Sequence, residues 1–343
     1  MSLVRGLATV IGSALLAVAA ACSSFTAADP DGAPDASADA QDDVVSSLDG
    51  EAPPPGTLVL ATGMRGLTSV TTDGTNVYFT EATECRLRVV PLEGGAVSMP
   101  EDTRSPGTPR GLVISGGSAF WIDETWQELR SWAGAATVVR STSALTPPPF
   151  ALAGGAGLLF TLARESEEDP VSLQMRAISA PERVGSSQPV GPSAFDVAAA
   201  GDFVYFTQPG ERSVVSVPIA GMQLGARKVV ATDQPECAYI AATPAAVVWT
   251  DGVRVVEASF EAAKFGDPRQ LAKETSTVVA LAADGDDRWW VTADGTLHHL
   301  GPGMVTARTV GAPFSAVPGH SLAVTSKYAV VLTTDGRVLR IAK

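Results

Sequence analysis

A chain of 343 residues with 45% apolar and 18% charged residues, 33 Gly, 24 Pro, 3 Cys and 3 His is long enough to bury a sizeable core, and so few cysteines exclude a disulfide-stapled mini-domain or a zinc-finger array. The formal net charge of −13 is uneven: residues 23–56 hold eight acids and no base, which leaves −6 on residues 57–343. No run of bases occurs, so the clustered cations that nucleic-acid binding needs to neutralise phosphates are missing.

Residues 1–21 read as a signal peptide. Arg5 supplies a short basic start, and the 15 residues from Leu7 to Ala21 form an apolar run. That run is shorter than the roughly 20 residues a membrane-spanning helix needs. Ala19-Ala20-Ala21-Cys22-Ser23-Ser24 follows, and it resembles the cleavage box of bacterial lipoproteins, with Ala19 where that family usually has Leu. The resemblance implies that Cys22 is the lipidated first residue of the mature chain and, because Ser rather than Asp follows it, that the anchor sits in the outer membrane. Several acyl chains on one cysteine suffice for stable anchoring, whereas a single chain is marginal. The alternative is ordinary cleavage after Ala-x-Ala, with Cys22 a free thiol. From Cys22 to Gly56 the chain is mostly Ala, Asp, Ser and Pro. Such a segment cannot bury enough apolar area to offset the entropy of ordering, so an acidic, disordered tether is expected there.

Beyond the tether, a short run of β-branched and aromatic residues recurs seven times, usually ending in Thr and often in an acid. Val77-Tyr78-Phe79-Thr80-Glu81, Val204-Tyr205-Phe206-Thr207-Gln208 and Val247-Val248-Trp249-Thr250-Asp251 are examples. Equivalent positions are Phe79, Trp121, Phe160, Phe206, Trp249, Val291 and Leu332, at spacings of 42, 39, 46, 43, 42 and 41. Before each run lies an apolar segment, such as Leu67–Val70, Phe195–Ala198 or Val278–Leu281, closed by a Gly- or Asp-containing turn. After it come a third strand, such as Leu87–Leu92 or Val214–Ile219, and a shorter fourth, such as Lys228–Ala231. Four short strands per roughly 40 residues define the blade of a β-propeller. The seventh unit ends at Lys343 after three strands, while Thr57–Thr62 is a strand without a unit. Placed in the vacant position, it closes the ring and removes an open sheet edge. Residues 57–343 are therefore expected to form one all-β domain, a seven-bladed propeller of four-stranded blades closed by its N-terminal strand.

With its aromatic strands ending in Thr-acid, followed by strands closing at Gly94-Gly95 or Gly221, this pattern resembles the YWTD and NHL-type propellers, and more closely the propeller lipoproteins of soil bacteria. The resemblance spans residues 57–343 and implies fold and compartment. YWTD propellers have six blades rather than seven, and the superfamily includes receptors, scaffolds, lyases and dehydrogenases, so function does not follow from fold.

Asp-Gly pairs at 73–74, 251–252, 294–295 and 335–336 read as tight turns rather than calcium loops, since EF-hand spacing is absent. His298 and His299 adjoin on a strand and should face opposite sides, so they cannot chelate one metal together. His320 stands on a loop. No Gly-x-Ser-x-Gly elbow occurs. Cys85 and Cys237 either bridge across one face of the ring or stand as separate thiols. Trp121, Trp249 and Trp290 lie inside strands, as packing between blades requires.

Connections entering the first strand of each blade rim one mouth of the central channel in a propeller. They carry Arg65, Arg110, Glu236 and His320, with Trp126 on a nearby loop, and these are the candidate ligand-binding residues. The sequence points to no catalytic residue, cofactor or metal. The leading expectation is a monomeric, lipid-anchored binding or scaffolding module for an unknown protein or small molecule. An enzyme, either a lyase or a quinone-dependent dehydrogenase, is the competing class, and a purely structural envelope component is a third.

Overall fold

The structure, a computed structural model, describes residues 56–100, 107–133, 140–141, 147–261, 264–310 and 314–343. The signal peptide, Cys22 and the tether up to Pro55 lie outside the described residues.

Seven small antiparallel sheets follow one another along the chain. Their innermost strands are Leu67–Thr72, Pro109–Ser115, Pro149–Gly155, Val197–Ala200, Cys237–Thr243, Val278–Asp284 and Leu322–Val324. Each packs beside the innermost strand of the next blade, and the seventh packs beside the first, which makes the arrangement a closed seven-bladed propeller. The recurring runs form the second strands: Asn76–Glu81, Ser118–Asp123, Leu158–Ala163, Phe203–Gln208, Ala246–Asp251, Asp287–Thr292 and Tyr328–Leu332. Thr57–Ala61 is the outermost strand of blade 7, paired antiparallel with Val338–Ala342. The two ends of the domain thus share one sheet, in the vacancy that the strand count leaves.

The second strands are buried on both faces, because side chains alternate across a sheet and each blade is sandwiched between two others. Phe120 packs toward blade 3 while Trp121 packs toward blade 1. Trp289 faces blade 7 while Trp290 faces blade 5. Every inter-blade interface has its own apolar cluster. In the one that closes the ring, Leu60 and Ala61 of the N-terminal strand join Val77 and Phe79 of blade 1 and Val330 and Leu332 of blade 7.

Local departures have local causes. Among the described residues blade 1 has three strands, with a single bridge between Val89 and Ser98 at its outer position. Blade 3 carries a 12-residue outer strand, Ala180–Gly191. The innermost strand of blade 4 starts at Val197, and just ahead of it Phe195 and Asp196 bond through their backbones to Thr207 while the Asp196 carboxylate accepts the Val197 and Ile240 N–H groups. Gly74, Gly252, Gly295 and Gly336 all have φ between 65° and 86°, as Asp-Gly turns require.

The acids that end several second strands serve as clamps. Glu81 accepts the Arg65 backbone N–H at 2.8 Å and the Arg88 side chain at 2.5 Å. Asp123 accepts the Gly107 and Trp126 N–H groups and lies 3.4 Å from Arg130. Asp251 accepts the Glu236 N–H at 2.7 Å and pairs with Arg254. Each carboxylate ties the chain entering a blade to the start of that blade's third strand, which explains why the acid recurs. Gln208 fills the same place in blade 4 without a charge, accepting from Ser213 and donating to the Val190 carbonyl.

Cys237 is a free, buried thiol, so no Cys85–Cys237 bridge forms. Burial is the first cause that pushes its pKa up to about 11, which keeps it protonated and unreactive.

Two outcomes are expected from this architecture. A domain beginning at Gly63 should lose cooperative unfolding, or melt more than 10 °C below one beginning at Gly56, because about five strand residues and the Leu60 contacts vanish together. Asp251→Ala should destabilise by about 3 kcal/mol in urea unfolding, since it strands Arg254 and the Glu236 N–H.

Candidate functional site

The innermost strands do not enter their sheets smoothly. Register shifts fall at the same place in five blades: between Leu67 and Ser69, Arg110 and Val113, Pro149 and Ala151, Cys237 and Ile240, and Val278 and Ala280. A β-bulge adds residues without a ladder partner and re-aims side chains. Thr68, Phe150, Tyr239 and Val279 fall inside these shifts, and Arg110 is the last paired residue ahead of the shift in blade 2, all at the channel-mouth end of the innermost strands. In blades 4 and 7 the corresponding positions precede the strand and are held by Phe195-Asp196 and His320.

Four of these residues converge. His320 Nε2 lies 3.4 Å from Asp196 Oδ1. Blades 4 and 7 stand three places apart in the ring, so this pair spans the mouth. Asp196 is buried and fixed, with Oδ1 accepting the Val197 N–H at 2.8 Å and Oδ2 accepting the Ile240 N–H of blade 5 at 3.1 Å. His320 is held at its backbone, where its carbonyl accepts the Val70 N–H of blade 1 at 2.8 Å. Tyr239 packs edge-on to Phe195, with ring centroids 6.2 Å apart. Burial raises the Tyr239 pKa, and the Asp196 charge adds to the effect. Arg110 pairs with Glu124 at 2.7 Å and is near enough to His320 to act on its protonation.

Desolvation by the surrounding blades disfavours the His320 cation even though 42% of its side chain stays exposed, but the charge and hydrogen bond of Asp196 outweigh it. The His320 pKa is therefore raised, with Arg110 opposing. A basic group with a raised folded-state pKa contributes stability below its unfolded pKa of about 6.5 and loses it as pH rises through the folded value.

Of the residues expected at the mouth, Arg110 and His320 come together. Arg65 is exposed and is engaged through its backbone, its N–H donating to Glu81 and its carbonyl accepting from the Thr83 N–H. Glu236 is exposed at the entry to blade 5, beside Gly252, and no hydrogen bond or ion pair joins it to Arg110 or His320. Trp126 is 54% exposed. His298 and His299 do face opposite sides, stacking on Trp290 and Trp289 and pairing with Glu274 and Asp287. Among the described residues no group of three His, Cys, Asp or Glu is placed to hold a metal ion. Sequence reasoning missed Asp196, Tyr239 and Glu124. The signal for Asp196 was an acid within an apolar innermost-strand pattern, where acids are disfavoured.

No protein-family profile matches the chain, and no curated protein matches it. Solved structures do. Virginiamycin B lyase from Staphylococcus aureus superposes with a TM-score of 0.61 at 12% identity, over 84% of this chain and 98% of the lyase. U3-55K superposes with a TM-score of 0.67 at 12% identity, over 85% of this chain and all of its own. The WD40 propeller domain of Doa1 gives 0.63 at 10% identity, over 84% and 97%. At such identities the likeness establishes the fold, which these lyase and WD40 structures share.

Titration of His320 by NMR should give a pKa above the ordinary histidine value. In Asp196→Asn it should fall below that value, because burial and Arg110 then act unopposed.

Proposed function

We propose that this protein is a lipid-anchored propeller of the bacterial cell envelope that binds a protein or small-molecule ligand through the channel mouth bearing Arg110, Asp196, Tyr239 and His320. The observation that carries this reading is the convergence of one polar residue from each of four different blades on one mouth. Packing alone does not require it. Tyr239 is presented by a bulge, and such irregularities concentrate where a side chain must be aimed. The aromatic strands ending in Thr-acid support kinship with YWTD and NHL-type propellers, and the lipoprotein box supports anchoring through Cys22 in the outer membrane. In this reading the protein works as a monomer with no nucleic-acid partner, in keeping with its mildly acidic charge and the absence of clustered bases in the sequence.

An enzyme is the second reading, favoured by the His320–Asp196 pair. A carboxylate that fixes a solvent-facing imidazole is also how a general base is held. The version built on Arg110, Glu236 and His320 together lacks support, because Glu236 stands apart from the other two.

Immobilised protein should capture a partner from cell envelopes, and Arg110→Ala and His320→Ala should each lose it. Capture that survives both variants would remove the mouth as the binding site. Cys22→Ser should move the protein from the membrane fraction to the soluble one, and unchanged membrane association would refute the anchor.

A further inference from the structure

Beside the mouth, between blades 2 and 3, lies a cleft of about 240 Å³. Its floor is Pro148, Pro149 and Phe150, and its walls carry Glu124, Glu165 and Glu167. Glu165 and Glu167 belong to the exposed loop Arg164–Asp169, which holds four acids against one base. Glu124 is engaged by Arg110 and partly desolvated, and burial is the first cause that raises its carboxyl pKa.

Acids alone would not define a site. Here the Arg164 guanidinium lies over the Phe150 ring, 5.1 Å from its centroid. Among the described residues Arg164 makes no ion pair, although carboxylates flank it in the loop. It is held by the ring, as a cation over an aromatic face is. The cleft therefore already contains a guanidinium, supplied by the protein itself and free of any other ionic partner. With no three ligating groups gathered there for a metal ion, the fitting occupant is an organic cation.

We propose that this cleft receives the arginine or lysine side chain of a basic partner segment, which takes the place of Arg164 on the Phe150 ring with Glu165 and Glu167 around it. The proposal rests on the binding reading above and deepens it, naming the partner's chemistry on the same face of the ring. No covalent step is involved. Arg164 acts as an internal competitor that the partner must displace.

The test is calorimetric titration of the intact chain, in neutral detergent micelles, with a tetra-arginine peptide at near-physiological salt. Phe150→Leu keeps bulk and charge and should weaken binding about tenfold by removing the ring. Glu165→Gln with Glu167→Gln, which leaves the floor intact, should weaken it comparably. Arg164→Gln should tighten it several-fold. That gain should disappear in the Phe150→Leu background, because only displacement from the ring couples the two sites. No binding by the wild type, or a Phe150→Leu variant that binds as well, would overturn the proposal in favour of diffuse attraction. A gain from Arg164→Gln that persists without the ring would overturn it equally. Asp267→Asn, at an exposed position in blade 5, should leave the peptide affinity unchanged. Peptide binding lost in His320→Ala but kept in Phe150→Leu would overturn the cleft while leaving the channel-mouth reading intact.

Discussion

The pairing of Thr57–Ala61 with Val338–Ala342 is the constraint on which the molecule depends. No blade has a core of its own. A blade's second strand is buried only because a neighbour covers each face, so every apolar cluster belongs to two blades at once. In an open row the first and last blades would each expose one such face. The closing strand helps to cover both, supplying Leu60 and Ala61 to the interface between blades 7 and 1 while adding the fourth strand of the blade 7 sheet. Contacts more than 270 residues apart in sequence thus hold the ring shut.

Closure also permits irregularity near the axis. The second and third strands carry the interfaces, and their registers run without a break in most blades. The innermost strands are relieved of that duty at their entry points, where the carboxylate clamps of Glu81, Asp123 and Asp251 fix the incoming chain instead. With the backbone secured, a bulge at each entry costs little and turns one residue toward the mouth. The repeated acid of the sequence motif is thus structural, and the variable residue beside it is free to specify binding.

That division explains what was legible in the sequence. Blade number, strand order and closure follow from a recurring run whose alternation must satisfy two interfaces, a requirement strong enough to leave a regular mark on residues such as Phe79, Trp121 and Trp249. The opposed faces of His298 and His299 follow from the same period. The mouth leaves no such mark. Its residues all lie near the entry of an innermost strand, yet they are Thr68, Arg110, Phe150, Asp196, Tyr239, Val279 and His320, with neither a fixed register nor a shared chemistry. Position pointed to Arg110 and His320. Asp196 was hidden because it sits in an apolar run that reads as strand, and its role depends on a residue 124 positions later. Glu236 was misleading for the converse reason. It precedes a blade in sequence, but its clamped backbone turns it toward Gly252 and away from the other candidates.

The charges at the mouth bear on how binding there would work. Arg110 is matched by Glu124 and His320 by Asp196, so the polar cluster is close to neutral as a whole. A ligand arriving with one dominant charge would have to break an existing pair, which is costly for a carboxylate as buried as Asp196. What remains outside the ion pairs is largely aromatic: Phe195 at 44% exposure, Trp126 at 54%, and the half-buried rings of Tyr239 and Phe150. Such rings offer contact area at small entropic cost, as anchors of binding surfaces generally do. Affinity at this face should therefore come mainly from the rings, with the paired charges fixing orientation. Net charge enters only in the acidic cleft beside them, where the loop from Arg164 to Asp169 is not neutralised.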